Sequence, residues 1–323
     1  MALQAEMLVE RRQLKRRLTL WRLAAILAVI GAALLLLFQN ERLAASIAGR
    51  PHIARVDISG LIHDDREQQE LLQKIAKAGH VKAVILRVNS PGGTASGGEA
   101  LFETIRDLAR KKPVVAVFGT IATSSAYIVG LATDHIVARG NTITGSVGVI
   151  LQWAEVTELL DKLGIKMREV KSGPLKATPS PFQPLDEASR ALTEEMVMEA
   201  KNWFLDLVAR RRALKPADVP GLVDGRIYSG RQALRHKLID ELGGEPQAVA
   251  WLEKERKITP DLSIVDWTVD EESSTGLLGG ALAALARLAG LEGILPPSLQ
   301  APRNALQVLQ LDGLVSLWHP PED

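Results

Sequence analysis

The 323-residue sequence contains no cysteine. That excludes zinc–thiolate sites, iron–sulfur clusters, disulfides and a cysteine nucleophile. It leaves the redox compartment open, because a thiol-free chain suits reducing and oxidising surroundings alike. An excess of either charge is also missing: 39 Lys and Arg stand against 38 Asp and Glu, for a net charge of +1. Nucleic-acid binders carry a basic excess or stripe, so no nucleic-acid partner is expected. His52, His63, His80, His135, His236 and His319 lie apart, and no two have metal-ligand spacing of the HExxH kind, so no metal is expected. No GxxxxGK phosphate loop and no GxSxG elbow occur; Thr144-Gly145-Ser146-Val147-Gly148 has threonine where the first glycine of an elbow must be. No cofactor is implied, and no internal repeat is seen. With 46% hydrophobic residues, the length suffices for one large domain or two modest ones.

What is present begins with an asymmetric N-terminus. Arg11, Arg12, Lys15, Arg16, Arg17 and Arg22 precede an uncharged apolar run from Leu23 to Phe38. With Leu18, Leu20 and Trp21 added, and Arg22 reaching back to the headgroups, the segment approaches the roughly 20 residues that span a bilayer. Basic residues favour the cytoplasmic side. The expectation is a basic cytoplasmic tail over 1–19, a transmembrane anchor over 20–38 and a linker over 39–51, with the rest outside. A cleaved signal peptide is the alternative, with Ser46-Ile47-Ala48 as a poor cleavage site.

Apolar strands then alternate with helical segments. Strands are predicted at His52–Ile62, Val81–Asn89, Pro113–Gly119, His135–Ala138 and Leu262–Trp267. Helices are predicted at Arg66–Ala78, Ser96–Arg110, Ala122 to about Leu131, Ala154–Leu163, Arg231–His236 and Glu245–Arg256. This order implies βαβ units around a parallel sheet. Residues 173–186 hold four prolines and one glycine, and read as a long irregular loop. Asp186 reads as the N-cap of a long helix reaching about Ala213. The domain is expected to run over 52–270. The tail over 271–323 includes Gly276–Leu291, a Leu/Ala helix candidate for packing on a neighbouring subunit or for membrane contact.

Three segments carry candidate chemistry. Ser124 follows a buried strand and opens a helix. That exposes a hydroxyl at the carboxyl edge of a parallel sheet, near the positive end of a helix dipole. The competing reading is an ordinary helix N-cap. Ser90-Pro91-Gly92-Gly93 ends the neighbouring strand at the same edge. Gly92 and Gly93 let the backbone approach a ligand closely and aim N–H groups at it, as an oxyanion hole requires, or form a plain turn. Lys176 lies in the proline-rich loop, as a solvated surface lysine or as a general base. A lysine base must be uncharged, which requires its ordinary pKa of about 10.4 to fall by roughly 3 units through desolvation.

Together these segments resemble the signal peptide peptidase A family, also called protease IV, of bacterial membrane-bound serine–lysine peptidases. The resemblance rests on Asn89-Ser90-Pro91-Gly92-Gly93, Ala122-Thr123-Ser124-Ser125-Ala126-Tyr127, Thr142 to Ile150, Lys171-Ser172-Gly173-Pro174-Leu175-Lys176 and Asp224 to Ala233. It implies a Clp-protease- and crotonase-like α/β fold, assembled as a ring or dome, in which adjacent subunits of short members share each site. In the family the nucleophile stands in an Ala-Ala-Ser-Gly-Gly-Tyr pattern. Counting back from Thr144-Gly145-Ser146 puts that serine on Ser124 and the tyrosine on Tyr127. The family lysine falls on Lys176, and the oxyanion donors on the Gly93 and Ser124 amides. Ser125-Ala126 replaces the glycine pair, which makes Ser125 a rival nucleophile. The implied partners are apolar peptides such as remnant signal peptides, the bilayer and further copies of the chain. The implied location is the inner membrane, single-pass, with the catalytic domain periplasmic. Alternatives are a SohB-like or stomatin-directed membrane protease, a crotonase-like acyl-CoA enzyme, and an inactive scaffold of the same fold.

Overall fold

The run Ala83-Val84-Ile85-Leu86 is apolar without alternation, the pattern of a strand covered on both faces. The computed structural model, which describes residues 49–269 and the backbone of Val315–Leu317, places this run at the heart of a sheet. In chain order the elements are β1 (His52–Ile62), α1 (Arg66–Lys77), β2 (Val81–Thr94), α2 (Ala95–Ala109), β3 (Val114–Thr123), α3 (Ser125–Ala132), β4 (His135–Ala138) and β5 (Ile143–Gly145). They continue with α4 (Thr157–Lys162), α5 (Glu187–Arg212), β6 (Ile227–Ser229), α6 (Gly230–Arg235), β7 (Glu241–Leu242), α7 (Glu245–Arg256), β8 (Ile264–Asp266) and β9 (Val315–Leu317). The strands form one sheet in the order β6-β5-β3-β2-β1-β8, with β4 beside β3 and β7, and β9 against β2. All pairs are parallel except β5–β6 and β2–β9. The fold is therefore mixed α/β with a parallel-dominated sheet, as the sequence implies.

Alternation along the strands divides the core. Val84, Leu86 and Val88 of β2 join Val56 and Ile58 of β1 and Ala116 and Phe118 of β3 in the larger cluster, under helices α1, α2, α3 and α5. Ala83 and Ile85 point the other way, with Ile53, Val115, Val117 and Val137, onto Ala248 and Leu252 of α7. Both clusters are closed to water, and each such aliphatic side chain contributes about 1.5–3 kcal/mol by burial.

β2 is longer than expected. Ser90-Pro91-Gly92-Gly93 reads as a turn in the sequence, yet Leu61 pairs with Gly92 and Ile62 with Gly93. The strand persists because β1 still offers it a partner. On the β3 side the ladder breaks between Val88 and Ser90. There the Asn89 carboxamide oxygen accepts the Thr120 and Ile121 amides at 3.0 and 3.3 Å, replacing the missing rungs. This bulge brings the ends of β2 and β3 together at the carboxyl edge of the sheet.

Helix boundaries follow their caps. Asp65 accepts from the Glu67 and Gln68 amides to start α1, and Asp186 accepts from Ser189 to start α5, as expected. α4 is shorter than the predicted Ala154–Leu163, and none of its residues is buried. Among the described residues no helix is long and apolar enough to cross a membrane. The anchor expected over 20–38 lies outside the described residues, as does the tail apart from β9.

Candidate active site

β3 delivers Ser124 to the carboxyl edge of the sheet, and α3 starts immediately after it. The Ser124 backbone takes φ 58° and ψ −122°. That region is sparsely populated for a residue with a side chain, and holding it costs about 1–3 kcal/mol. A serine N-cap has extended backbone and accepts a bond from the first turn of its helix. Ser124 has neither the extended backbone nor a side-chain capping bond. The ordinary capping explanation therefore fails at this position. The strained conformation is fixed by its amide donating to the Gly145 carbonyl at 2.9 Å, and by its carbonyl accepting from Tyr127 and Ile128. The Ser124 amide, expected as an oxyanion donor, is thus engaged in continuing the β3–β5 ladder, in which Thr123 pairs with Gly145.

The glycine-bearing end of β2 stands beside it. A side chain at Gly93 would place its Cβ 1.8 Å from the Ile62 carbonyl oxygen, so only glycine lets β2 run this close to β1. Gly92 has φ 113°. The Gly92 amide donates to the Ser90 hydroxyl at 3.1 Å. The Thr123 hydroxyl donates to the Pro91 carbonyl at 2.9 Å. The Ser125 hydroxyl is oriented toward the Gly93 and Thr94 carbonyls, at 3.3 and 3.1 Å. Ser125, the rival nucleophile, is fully buried, with its hydroxyl turned to these backbone oxygens.

The other quoted motifs support this edge. Gly145 has φ 87°, and its carbonyl receives the Ser124 amide. The Thr144 hydroxyl donates to the Ala122 carbonyl at 2.7 Å. The Ser146 amide donates to the Arg226 carbonyl, and the Tyr228 ring fills the space beside Gly145. Behind Ser124, Tyr127 donates its hydroxyl to the Leu238 carbonyl at 2.7 Å. Carbonyls at the far end of α3 accept from cations: Ala132 from Arg106, and Leu131 and Thr133 from Arg211. Those charges complement the helix dipole whose positive end faces Ser124.

Lys176 is placed differently. It lies in the irregular stretch between α4 and α5, its amide bonded to the Gly173 carbonyl, and its side chain is exposed. Among the described residues it makes no ion pair. Ser124 is buried within the sheet edge. Leu159, Leu163, Ile165, Met167, Val170, Leu175 and Phe182, from the same part of the chain as Lys176, are all exposed.

Comparison with known proteins decides the family. The model of peptidase family S49 matches residues 106–259. The proposed protease MJ0651 of Methanocaldococcus jannaschii is 32% identical over 79% of this chain and 86% of its own length. The proposed signal peptide peptidase SppA of Enterococcus faecium is 34% identical over 73% of each chain. The chain belongs to peptidase family S49. Protease 4 of Haemophilus influenzae is 31% identical over 68% of this S49 chain and 37% of its own length. Among solved structures, a mutant of the 1510-N membrane-bound stomatin-specific protease gives a TM-score of 0.45 at 14% identity, covering 68% of this chain and 98% of that one.

This S49 chain is a peptidase by family. Its matched segment contains Ser124 and Lys176, whereas Gly92 and Gly93 precede it. One titratable group at the same edge escaped the sequence reading. His63 directly follows the Ile62–Gly93 pair, is exposed, and has its backbone against Gly97 at the start of α2. The signal was available only through pairing, since nothing in the spacing of the histidines connects His63 to Gly93.

Proposed function

We propose that this S49 peptidase is a serine endopeptidase with Ser124 as nucleophile and Lys176 as general base. The observation that carries the reading is the positive-φ backbone of Ser124, whose side chain makes no capping bond, beside the Gly92–Gly93 end of β2. Strain of this kind persists where the surroundings impose it, and it recurs at reacting groups.

The chemistry is acyl transfer. Neutral Lys176 takes the Ser124 proton as Oγ bonds to the scissile carbonyl carbon, whose oxygen becomes an anion held at the Gly93 amide. The anion collapses, the C–N bond breaks, and the leaving amine takes the proton from Lys176. Lys176 then takes a proton from water as the hydroxide attacks the ester carbonyl carbon; the C–O bond to Ser124 breaks, the Ser124 oxygen takes the proton back from Lys176, and the acid product departs. For the Ser124 amide to join as a second oxyanion donor it has to leave Gly145.

Two features support an extended peptide as substrate. β9 lies antiparallel on β2, pairing Leu317 with Gly92, Ser316 with Gly93 and Val315 with Thr94. That is how an added strand docks on a sheet edge through main-chain bonds. The E. faecium relative is named for signal peptides. Apolar remnants of such peptides suit an enzyme held beside a bilayer by the segment at 20–38, with its catalytic part periplasmic.

The exposed position of Lys176 supports completion of the site by an adjacent copy. A neighbour that covers the apolar side chains around α4 would also withdraw Lys176 from water. The test is labelling by a fluorophosphonate, which should modify Ser124 and vanish in Ser124→Ala. Absence of any serine adduct in an assembled, peptide-cleaving preparation would overturn the reading.

A further inference from the structure

We propose that Thr123 and Ser125 are positioning residues that lock the Gly92–Gly93 end of β2 in register with the nucleophile. The proposal rests on the reading of Ser124 given above. These residues flank Ser124 directly in the chain. Each sends its hydroxyl across to the backbone of the same neighbouring segment: Thr123 to the Pro91 carbonyl at 2.9 Å, Ser125 to the Thr94 and Gly93 carbonyls at 3.1 and 3.3 Å. The Pro91–Gly92 and Gly93–Thr94 peptide units, which bracket the unit carrying the Gly93 amide, are therefore tied to the residues on either side of Ser124.

Regular pairing cannot perform this task. The β2–β3 ladder shifts register after Val88 and resumes only at Ser90 with Ala122. Beyond that pair the two segments lack ladder rungs, and the site requires the Gly93 amide and the Ser124 Oγ to hold a fixed separation. Both hydroxyl residues are fully buried, where a short hydroxyl bond is not diluted by water. The Ser125 side chain is further confined by α2, since a Cβ added at Gly98 would lie 3.1 Å from the Ser125 Cβ. The Ala-Ala-Ser-Gly-Gly-Tyr pattern supplies neither hydroxyl, so the clamp is a property of this chain. Ser125 accordingly serves as a brace and not as a second nucleophile.

The experiment uses the full-length assembled protein and an internally quenched Leu/Ala-rich peptide. Thr123→Val and Ser125→Ala remove one hydroxyl each, and the double variant removes both. Misplacing reacting groups by a fraction of an ångström to 1 Å lowers turnover by about 10- to 100-fold. The expected result is a fall of that size in kcat for the double variant, larger than any accompanying rise in KM. Affinity for a peptide aldehyde, whose adduct needs the Gly92–Gly93 end of β2, should fall in parallel. Thr123→Ser, which keeps the hydroxyl, should restore kcat in the Thr123 position. A double variant with parental kcat overturns the clamp, as does a loss that disappears when rates are expressed per folded molecule. If the parent itself shows no fluorophosphonate adduct at Ser124, the nucleophile reading fails and the clamp with it. An intact parent adduct beside an unaffected double variant sinks the clamp alone.

Discussion

Gly145 accepts the amide hydrogen of Ser124 at 2.9 Å, with its own backbone at φ 87° and the Tyr228 ring where a side chain would stand. The strained serine is thus held by a residue that only glycine can fill. An added Cβ would lie 2.6 Å from the Tyr228 ring and 2.9 Å from the Arg226 carbonyl. Gly145→Ala should lower stability by about 2 kcal/mol or more. It should also slow fluorophosphonate labelling of Ser124 in the fraction that remains folded. Labelling at the parental rate would show that Gly145 does not set the conformation of Ser124.

Gly93→Ala tests the end of β2. The clash is with the Ile62 backbone, which cannot rotate away as a side chain could. Turnover should fall by about 100-fold or more, the scale of losing an oxyanion donor. A fluorogenic peptide assay on folded variant, checked by circular dichroism, measures it.

Lys176→Ala should reduce kcat by about 10²- to 10⁴-fold, whereas His63→Ala should leave the greater part of it. The reverse ranking would make His63 the base. Co-assembly of Ser124→Ala with Lys176→Ala subunits should recover activity, because some interfaces then combine an intact serine with an intact lysine. Verified mixed oligomers that remain inactive would place both groups in one subunit.

Acid should weaken the fold in a definite window. The Asp186 carboxylate, capping α5, is held below the ordinary range by the Ser189 amide, and Asp266 by its paired bond to Arg55. A depressed folded pKa contributes stability that is complete above the unfolded value near 3.9 and is lost as pH falls through the folded value. The melting temperature should therefore drop on acidification from about pH 4 downward. Asp186→Asn, which can still cap but does not titrate, should show a shallower drop there.

Neither tyrosine should ionise near its ordinary pKa of about 10 while the protein is folded. The sequence has two tyrosines, and burial pushes both the Tyr127 and Tyr228 phenols up. Ultraviolet titration should show phenolate absorbance only as the protein unfolds in alkali. A reversible transition near the ordinary value in folded protein would contradict the burial of both rings.

The parallel core was legible because strands such as Val81–Asn89 and helices such as Glu245–Arg256 are long enough for periodicity and caps to speak. β5, β6 and β7 span two or three residues each, too few for any pattern, and they form only because β3, β5 and β4 respectively present open edges. Ser124 could be singled out from its place between a strand and a helix. Its backbone angles could not, since Thr123-Ser124-Ser125 is also a plausible capping run. The relation of Lys176 to Ser124 could not be read from local spacing, because Lys176 lies in an irregular, exposed stretch between α4 and α5. The extra length of β2 was hidden for a similar reason. Proline and two glycines signal a turn locally, and only β1, some 30 residues earlier in register, keeps them extended.

One flank of a strand can hydrogen-bond a single visitor at a time. In the docking mode proposed above, Val315–Leu317 lie on the side of Gly92–Thr94 that an incoming peptide would use. Any such peptide has to win that place from a rival tethered to the same molecule, whose local concentration never dilutes away. The apparent KM therefore reports a contest, and a chain ended before Val315 should bind the same peptide more tightly at unaltered intrinsic turnover.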